Sequence, residues 1–338
     1  MKSWLWFGVI ALLWGQVRLR VVSMVPYDSP WEEALNEYIK AVERSIGPGK
    51  VSFRKFLSGQ VGGEVEMVRN VRMGIQEVGM FSIGAMAEGL SMPELLVLEM
   101  PFLFESDEEV DYVMDALFEE FKRRLLEKDI VLVFWGVNGW RHFGCATKPI
   151  LTPADLKGLK MRAQETPLYI EMYKALGATP VPLAATDALM ALKNRMVEGF
   201  DQTIVFAVST GWIGQIKHFT LSRHVYQPGA LVISKKAFDK LPPDIQRALL
   251  VEKERTQLQA KGRKLVRDEE QSILNSAEKE GNVRFYRLSP QQREAFRKAI
   301  QAASARLEGH LGAEGKALLA QVRAKISEYR SKTQSIAK

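Results

Sequence analysis

An α/β fold in two units is predicted by three features of the sequence. Strand-like and helix-like segments alternate twice along the chain. The C-terminal part is poor in proline and reads as helices. A length of 338 residues suits about two domains.

In the first unit, residues 17–25 (VRLRVVSMV) read as a strand and residues 26–30 as a turn. Ser29 can cap the helix that follows, and Pro30 suits its first position. Trp31, Ala34, Leu35, Tyr38 and Ile39 recur near a 3.6-residue period, and Gly47-Pro48-Gly49 stops the helix. Residues 51–56 alternate as a strand. A turn at 60–63 leads into a helix with Val65, Val68, Val71 and Ile75 on one face, and residues 79–82 end as a short strand. This order predicts a largely parallel sheet. Helices are expected at 108–117 and 119–127. The apolar run 130–137 reads as a strand buried on both faces.

The second unit has a short polar helical turn at 152–158, a strand at 159–162, and helices at 167–176 and 185–193. Gly177 ends the first of these helices, and Gly199 precedes a strand-like edge. After Pro242-Pro243, residues 244–280 hold no proline and a single glycine, Gly262. They read as one helix of up to ~55 Å, or as two in series. Helices at 290–307 and 314–329 and a frayed tail at 331–338 complete the chain.

Composition narrows the function. Hydrophobic residues make up 46% and charged residues 26%, an ordinary globular balance. The formal charge of +7 is spread along the chain without a basic patch or motif, so no nucleic-acid partner is expected. One cysteine, Cys145, allows no disulfide, and His142, His218, His224 and His310 lack ligand spacing. No metal and no cofactor are expected. Phosphate-binding loops and nucleophile elbows are absent, and the neighbours His142 and Cys145 read as structural, so the chain reads as no enzyme. Lys2 and the apolar residues 4–14 resemble a signal peptide ending near residue 16, because the run is too short for a span of ~20 residues.

Six blocks in order carry a family likeness. Lys148-Pro149-Ile150 with Thr152-Pro153-Ala154-Asp155-Leu156-Lys157-Gly158-Leu159-Lys160-Met161-Arg162 resembles the signature stretch of solute-binding proteins of TRAP (tripartite ATP-independent periplasmic) transporters, DctP-type. Glu99-Met100-Pro101-Phe102-Leu103-Phe104, Ala175-Leu176-Gly177-Ala178-Thr179-Pro180, Ala188-Leu189-Met190-Ala191-Leu192-Lys193, Val197-Glu198-Gly199-Phe200-Asp201-Gln202 and Leu241-Pro242-Pro243-Asp244-Ile245-Gln246 resemble further family blocks.

The resemblance implies a two-lobed, periplasmic-binding-protein-like α/β fold, with a cleft between lobes and a long helix spanning both. Lobe I is expected at 17–139 plus 228–267, and lobe II at 140–227 plus 268–338. The implied function is capture of a small organic acid in the periplasm and delivery to TRAP permease subunits. A sensor of the same fold, or a binder of a non-carboxylate hydrophobic molecule, is the alternative. A helical-repeat (TPR-type) periplasmic helper is a conceivable further partner.

The resemblance also implies site residues. Arg162, closing the signature stretch, takes the place of the family's central ligand-binding arginine, and a guanidinium can grip a carboxylate bidentately. Arg141 stands one position from the family's second arginine, with His142 in the aligned slot. Gln202 occupies the place of a polar amide that donates and accepts. Met24, Ser82 and Ile83 stand where sugar-acid binders of the family offer polar groups, and Trp140, Phe143, Phe206 and Trp212 add aromatic surface. Together they lead to the expectation of a hydrophobic monocarboxylate.

Overall fold

A computed structural model describes residues 16–280 and 282–336. The expected signal segment therefore lies outside the described residues, apart from Gln16.

The described strands are β1 (Val17–Ser23), β2 (Val51–Phe56), β3 (Val78–Ser82), β4 (Ile130–Cys145), β5 (Lys160–Ala163), β6 (Thr179–Pro182), β7 (Gly199–Thr203), β8 (His218–Ser234) and β9 (Arg284–Arg287). They form one sheet in the order β2-β1-β3-β8-β4-β7-β5-β6, with β9 beside β8. β4 and β8, of 16 and 17 residues, run antiparallel through the whole sheet. At one end, β2, β1 and β3 run parallel to one another, and β3 pairs antiparallel onto β8. At the other, β7 pairs onto β4, and β5 and β6 follow in parallel. Two halves are thus joined by two continuous strands.

Both long strands are irregular where the halves meet. Their pairing slips between Val137 and Gly139 and between Arg141 and Phe143. Gly139 has φ 104° and Arg223, on the bulged part of β8, has φ 45°. Bulges of this kind bend a strand and raise its twist.

The sequence ends β4 too early and leaves β8 unassigned, for one physical reason. Asn138, Arg141 and His142 break the apolar run, yet backbone bonds to β7 and β8 carry the strand to Cys145. In β8, Pro228-Gly229 reads as a turn. Pro228 instead sits opposite Val137 beside the bulge, where a missing N–H is tolerated. The strand after Gly199 is no edge either, since β7 lies between β4 and β5.

The expected helices appear in order with adjusted ends, and the sequence reading missed Ile83–Leu90, Pro93–Glu99, Ile204–Ser209 and Lys235–Phe238. Pro30–Ile46 starts at Ser29, whose side chain accepts from Glu32 N, and stops at Gly47. The 244–280 stretch is two helices, Pro243–Leu250 and Arg255–Glu280, broken at Val251, which is buried with φ 41°. The second has 26 residues and spans about 39 Å. It lies along Pro30–Ile46, where Lys261 pairs with Glu37 at 2.9 Å and Gly262 faces Ala34. It then crosses β4, with Gln259 Oε1 accepting from Trp135 N at 2.9 Å and Glu270 facing His142 at 3.8 Å. Arg263 and Arg267 tie it to Asp115 and Asp111 of the helix Asp107–Ala116. The expected 290–307 helix divides into Pro290–Gln301 and Ser304–Gly309. The tail expected to fray stays helical in Gly312–Ile336, where Arg330 forks onto Glu109 at 2.8 and 2.9 Å.

Candidate functional site

A cavity of about 70 Å³ opens where the two halves meet. The carboxyl ends of β1 and β3 supply Ser23, Met24 and Ser82, with Trp31 and Glu64 from the helices that follow β1 and β2. The other half supplies Arg162, Gln164, Gln202 and Phe206, and the joining strands supply Asn138 and Gln227. Carboxyl ends of parallel strands are where open α/β sheets hold ligands.

Arg162 lies on β5 and is 3% exposed. Its Nε donates to Leu183 O at 3.0 Å, and Trp212 backs it with the ring centroid 5.3 Å from Cζ. Among the described residues, neither Nη group has a protein partner and no carboxylate stands within ion-pair distance. Burial, with Arg141 nearby, pulls its pKa down to about 10, so it stays charged at neutral pH. Asp201, Glu165 and Glu64 act on it only at longer range, so the buried cation has no directly paired counter-charge, a cost that an anion in the cavity relieves.

Arg141 is fully buried and already neutralised. Its Nε donates to Asp201 Oδ2 and its Nη2 to Asp201 O, both at 2.6 Å. Burial opposes the Asp201 charge, yet Arg141 and His224 hold that carboxyl well below its ordinary range. Tyr173 also donates to Asp201, at 2.8 Å.

Arg141 also sets the direction of two amides. Its Nη1 faces the Oε1 atoms of Gln164 and Gln202, each at 3.3 Å. Gln202 Oε1 further accepts from Thr203 N at 2.8 Å, and Gln164 Oε1 from Gln227 Nε2 at 3.0 Å. Both amide oxygens are therefore engaged, which leaves the Gln202 NH2 as a donor and the Gln227 oxygen as an acceptor. Glu64 adds a carboxylate that accepts from Ser82 N at 2.7 Å and Ser82 Oγ at 2.9 Å. Burial raises its pKa, and the Ser82 bonds and Arg162 oppose the rise.

Of the residues named from sequence, the fold gathers Met24, Ser82, Arg162, Gln202 and Phe206 on the cavity wall. The others lie off it. Arg141 sits behind the amides. Trp212 stands behind Arg162 and Phe206. Ile83 opens the helix Ile83–Leu90 with its side chain in the core. Trp140 packs on Tyr226 at 5.0 Å and under Arg223. Phe143 stacks on His224 at 4.1 Å. Glu64, Gln164, Gln227, Asn138 and Trp31 were not anticipated. Gln164 follows Arg162 by two residues, so strand alternation could have found it. Glu64 reads in sequence only as an acidic first turn.

The family model for bacterial extracellular solute-binding proteins, family 7 (DctP), matches residues 21–309. The 2,3-diketo-L-gulonate-binding periplasmic protein of Escherichia coli is 32% identical over 257 residues, 75% of each chain. A solute-binding protein of Verminephrobacter eiseniae is 31% identical over 237 residues, 70% of each. Among solved structures, a TRAP periplasmic solute-binding protein of Polaromonas sp. JS666 bound to D-erythronate has a TM-score of 0.83 at 27% identity, covering 91% of this chain and 99% of that one. One from Sulfitobacter sp. NAS-14.1 with bound β-D-galacturonate has a TM-score of 0.84 at 25% identity, with the same coverage.

Proposed function

Because the chain belongs to the bacterial extracellular solute-binding proteins of family 7, we propose that it captures a small hydroxylated organic acid and delivers it to a TRAP-type membrane permease. Members of this family are the binding components of transporters, not enzymes. The observation that carries the reading is Arg162, a buried guanidinium on the cavity wall whose Nη groups have no protein acceptor among the described residues. A carboxylate fits it bidentately. The Gln202 amide donates beside it, while Gln227 and Glu64 offer acceptors for ligand hydroxyls. The relatives that carry D-erythronate and 2,3-diketo-L-gulonate in their names are binders of such polar acids.

In this reading the lobes expected at 17–139 plus 228–267 and 140–227 plus 268–338 close on the acid, except that Gly312–Ile336, tied to Glu109 by Arg330, moves with the first lobe. Bending at the bulges of β4 and β8 would serve as the hinge. Export follows from the signal-like residues 1–16. A second reading rests on Met24, Trp31 and Phe206, which line the same cavity. They favour an acid with an apolar body, and a TPR-type helper would suit such a ligand.

Isothermal titration of the purified protein separates the two. D-erythronate and D-galacturonate are compared with branched-chain and aromatic monocarboxylates. Tighter binding of the hydroxy acids supports the first reading, and the reverse order supports the second. Binding of neither class would sink the proposal that this cavity takes an organic acid.

A further inference from the structure

Glu99 is a fully buried carboxylate behind the cavity that ligand capture, as described, leaves unused. It ends the short 3-10 helix Pro93–Glu99. Its Oε1 accepts from Gly84 N at 3.0 Å, in the first turn of Ile83–Leu90. Its Oε2 accepts from Tyr169 OH at 2.8 Å, in Pro167–Ala175. The first helix follows β3 and the second follows β5, so one carboxylate joins opposite halves of the sheet. The Tyr169 ring lies 4.5 Å from the Arg141 guanidinium. Arg141 in turn faces the amide oxygens of Gln164 and Gln202, both on the cavity wall.

The packing around this junction is close. A Cβ on Gly84 would come within 2.5 Å of Gln164 Nε2 and 3.1 Å of Glu99 Oε2. Burial pushes the Glu99 carboxyl up to about 7, against the pull of Arg141 and the bonds from Tyr169 and Gly84. A charge held under those conditions contributes little to stability on its own. Its geometry is that of a tie between the halves and the ligand-facing amides.

We propose that Glu99 is a positioning residue for ligand capture. Through Tyr169 it holds Arg141, and with it the amides of Gln164 and Gln202, in the gripping arrangement while tying the two sides of the cleft. The affinity arm of the test rests on the acid-binding reading; the conformational arm does not.

The test uses the full chain with Glu99→Gln, Tyr169→Phe and the pair. D-erythronate affinity is measured by calorimetry, and ligand-free stability by melting at pH 8. Cleft closure is read by energy transfer between labels at Met73→Cys and Met196→Cys. These positions are 53% and 54% exposed, whereas Cys145 is buried. Each single substitution is expected to weaken binding about tenfold, and the pair no more than the weaker single, since the two act as a unit. Ligand-free Glu99→Gln should melt no lower than the wild type while still binding more weakly, a split that general damage to the fold would not produce. Without ligand, both variants should shift energy transfer toward the open form. Unchanged affinity, losses that multiply, or losses that only track melting temperature would overturn the role. If the wild type binds no acid, a shifted ligand-free distribution keeps the tie and discards the ligand class. An unshifted one discards the tie.

Discussion

Arg162 and Gln202, both on the cavity wall, are the two proposed ligand contacts whose loss should be simplest to read. Arg162→Ala is expected to weaken acid binding by on the order of 2–5 kcal/mol, roughly 30-fold or more, by calorimetry. Arg162→Lys should recover only part of that, because an ammonium cannot fork onto a carboxylate. Equal affinity in all three would move the anion contact elsewhere. Gln202→Ala should cost less, about 1–3 kcal/mol, because one neutral donor is lost. A second outcome concerns pH. The Glu99 carboxyl is raised to about 7 from 4.5. Its folded form therefore binds the proton more tightly than its unfolded form, and stability falls as pH rises from about 4.5 through 7. Relative to wild type, Glu99→Gln should gain stability above pH 7, on the order of 3 kcal/mol at most, and none near pH 4. Asp201 runs the other way: its depressed carboxyl contributes stability above its ordinary range that is lost on acidification. Denaturant titrations at pH 4, 6 and 8 would show the first, and titrations carried from pH 4 down to pH 2 the second. The roles of Arg141 and Arg162 differ for a reason that residue type hides. Both are buried arginines, and only the position of Asp201 decides which one is already paired.

At the scale of elements, the turn after β2 and the start of the helix Ala185–Lys193 meet across the rim of the cleft. A Cβ on Gly59 would lie 2.9 Å from Met24 Sδ and 3.0 Å from Thr186 Cγ2, and its φ of 70° already disfavours any side chain. At Gly63 the nearest neighbour would be Ala184 Cβ, at an ordinary 3.9 Å. Gly59→Ala should therefore weaken binding several-fold more than Gly63→Ala. Equal effects in a titration would remove the rim contact from the account. The crossing helix Arg255–Glu280 depends on charge as well as packing. Arg263 is 7% exposed and forks onto Asp115 at 2.6 and 2.8 Å. Arg263→Ala should lower stability by roughly 1–3 kcal/mol, seen as a lower melting temperature with ligand affinity little changed.

For the whole molecule, the proposed reading makes ligand binding and cleft closure one equilibrium. A ligand at 100 times its dissociation constant stabilises the bound form by about 2.7 kcal/mol, which should raise the melting temperature by a few degrees. Closure should also reduce the radius of gyration in solution scattering. A rise in melting temperature without compaction would mean that the acid binds a cleft that does not move. Much of the architecture was legible beforehand. The periods of residues 30–46 and 51–56, the stop at Gly47 and the helix at 185–193 are local patterns, and local hydrogen bonding obeys them. The signature stretch named Arg162 and the block 197–202 named Gln202, and the fold brings both to one cavity wall. The length of β4 and β8, the pairing of Arg141 with Asp201, and the arrival of Glu64, Gln164 and Gln227 at one cavity were not legible. Each depends on partners distant in the chain, such as Val137 opposite Pro228 or Gly84 beside Glu99. A polar residue inside a strand reads as a break until its partner is known. Periodicity and motif thus carried the fold class and marked the arginine on the cavity wall, while long-range pairing decided which polar groups are satisfied inside the protein and which are not.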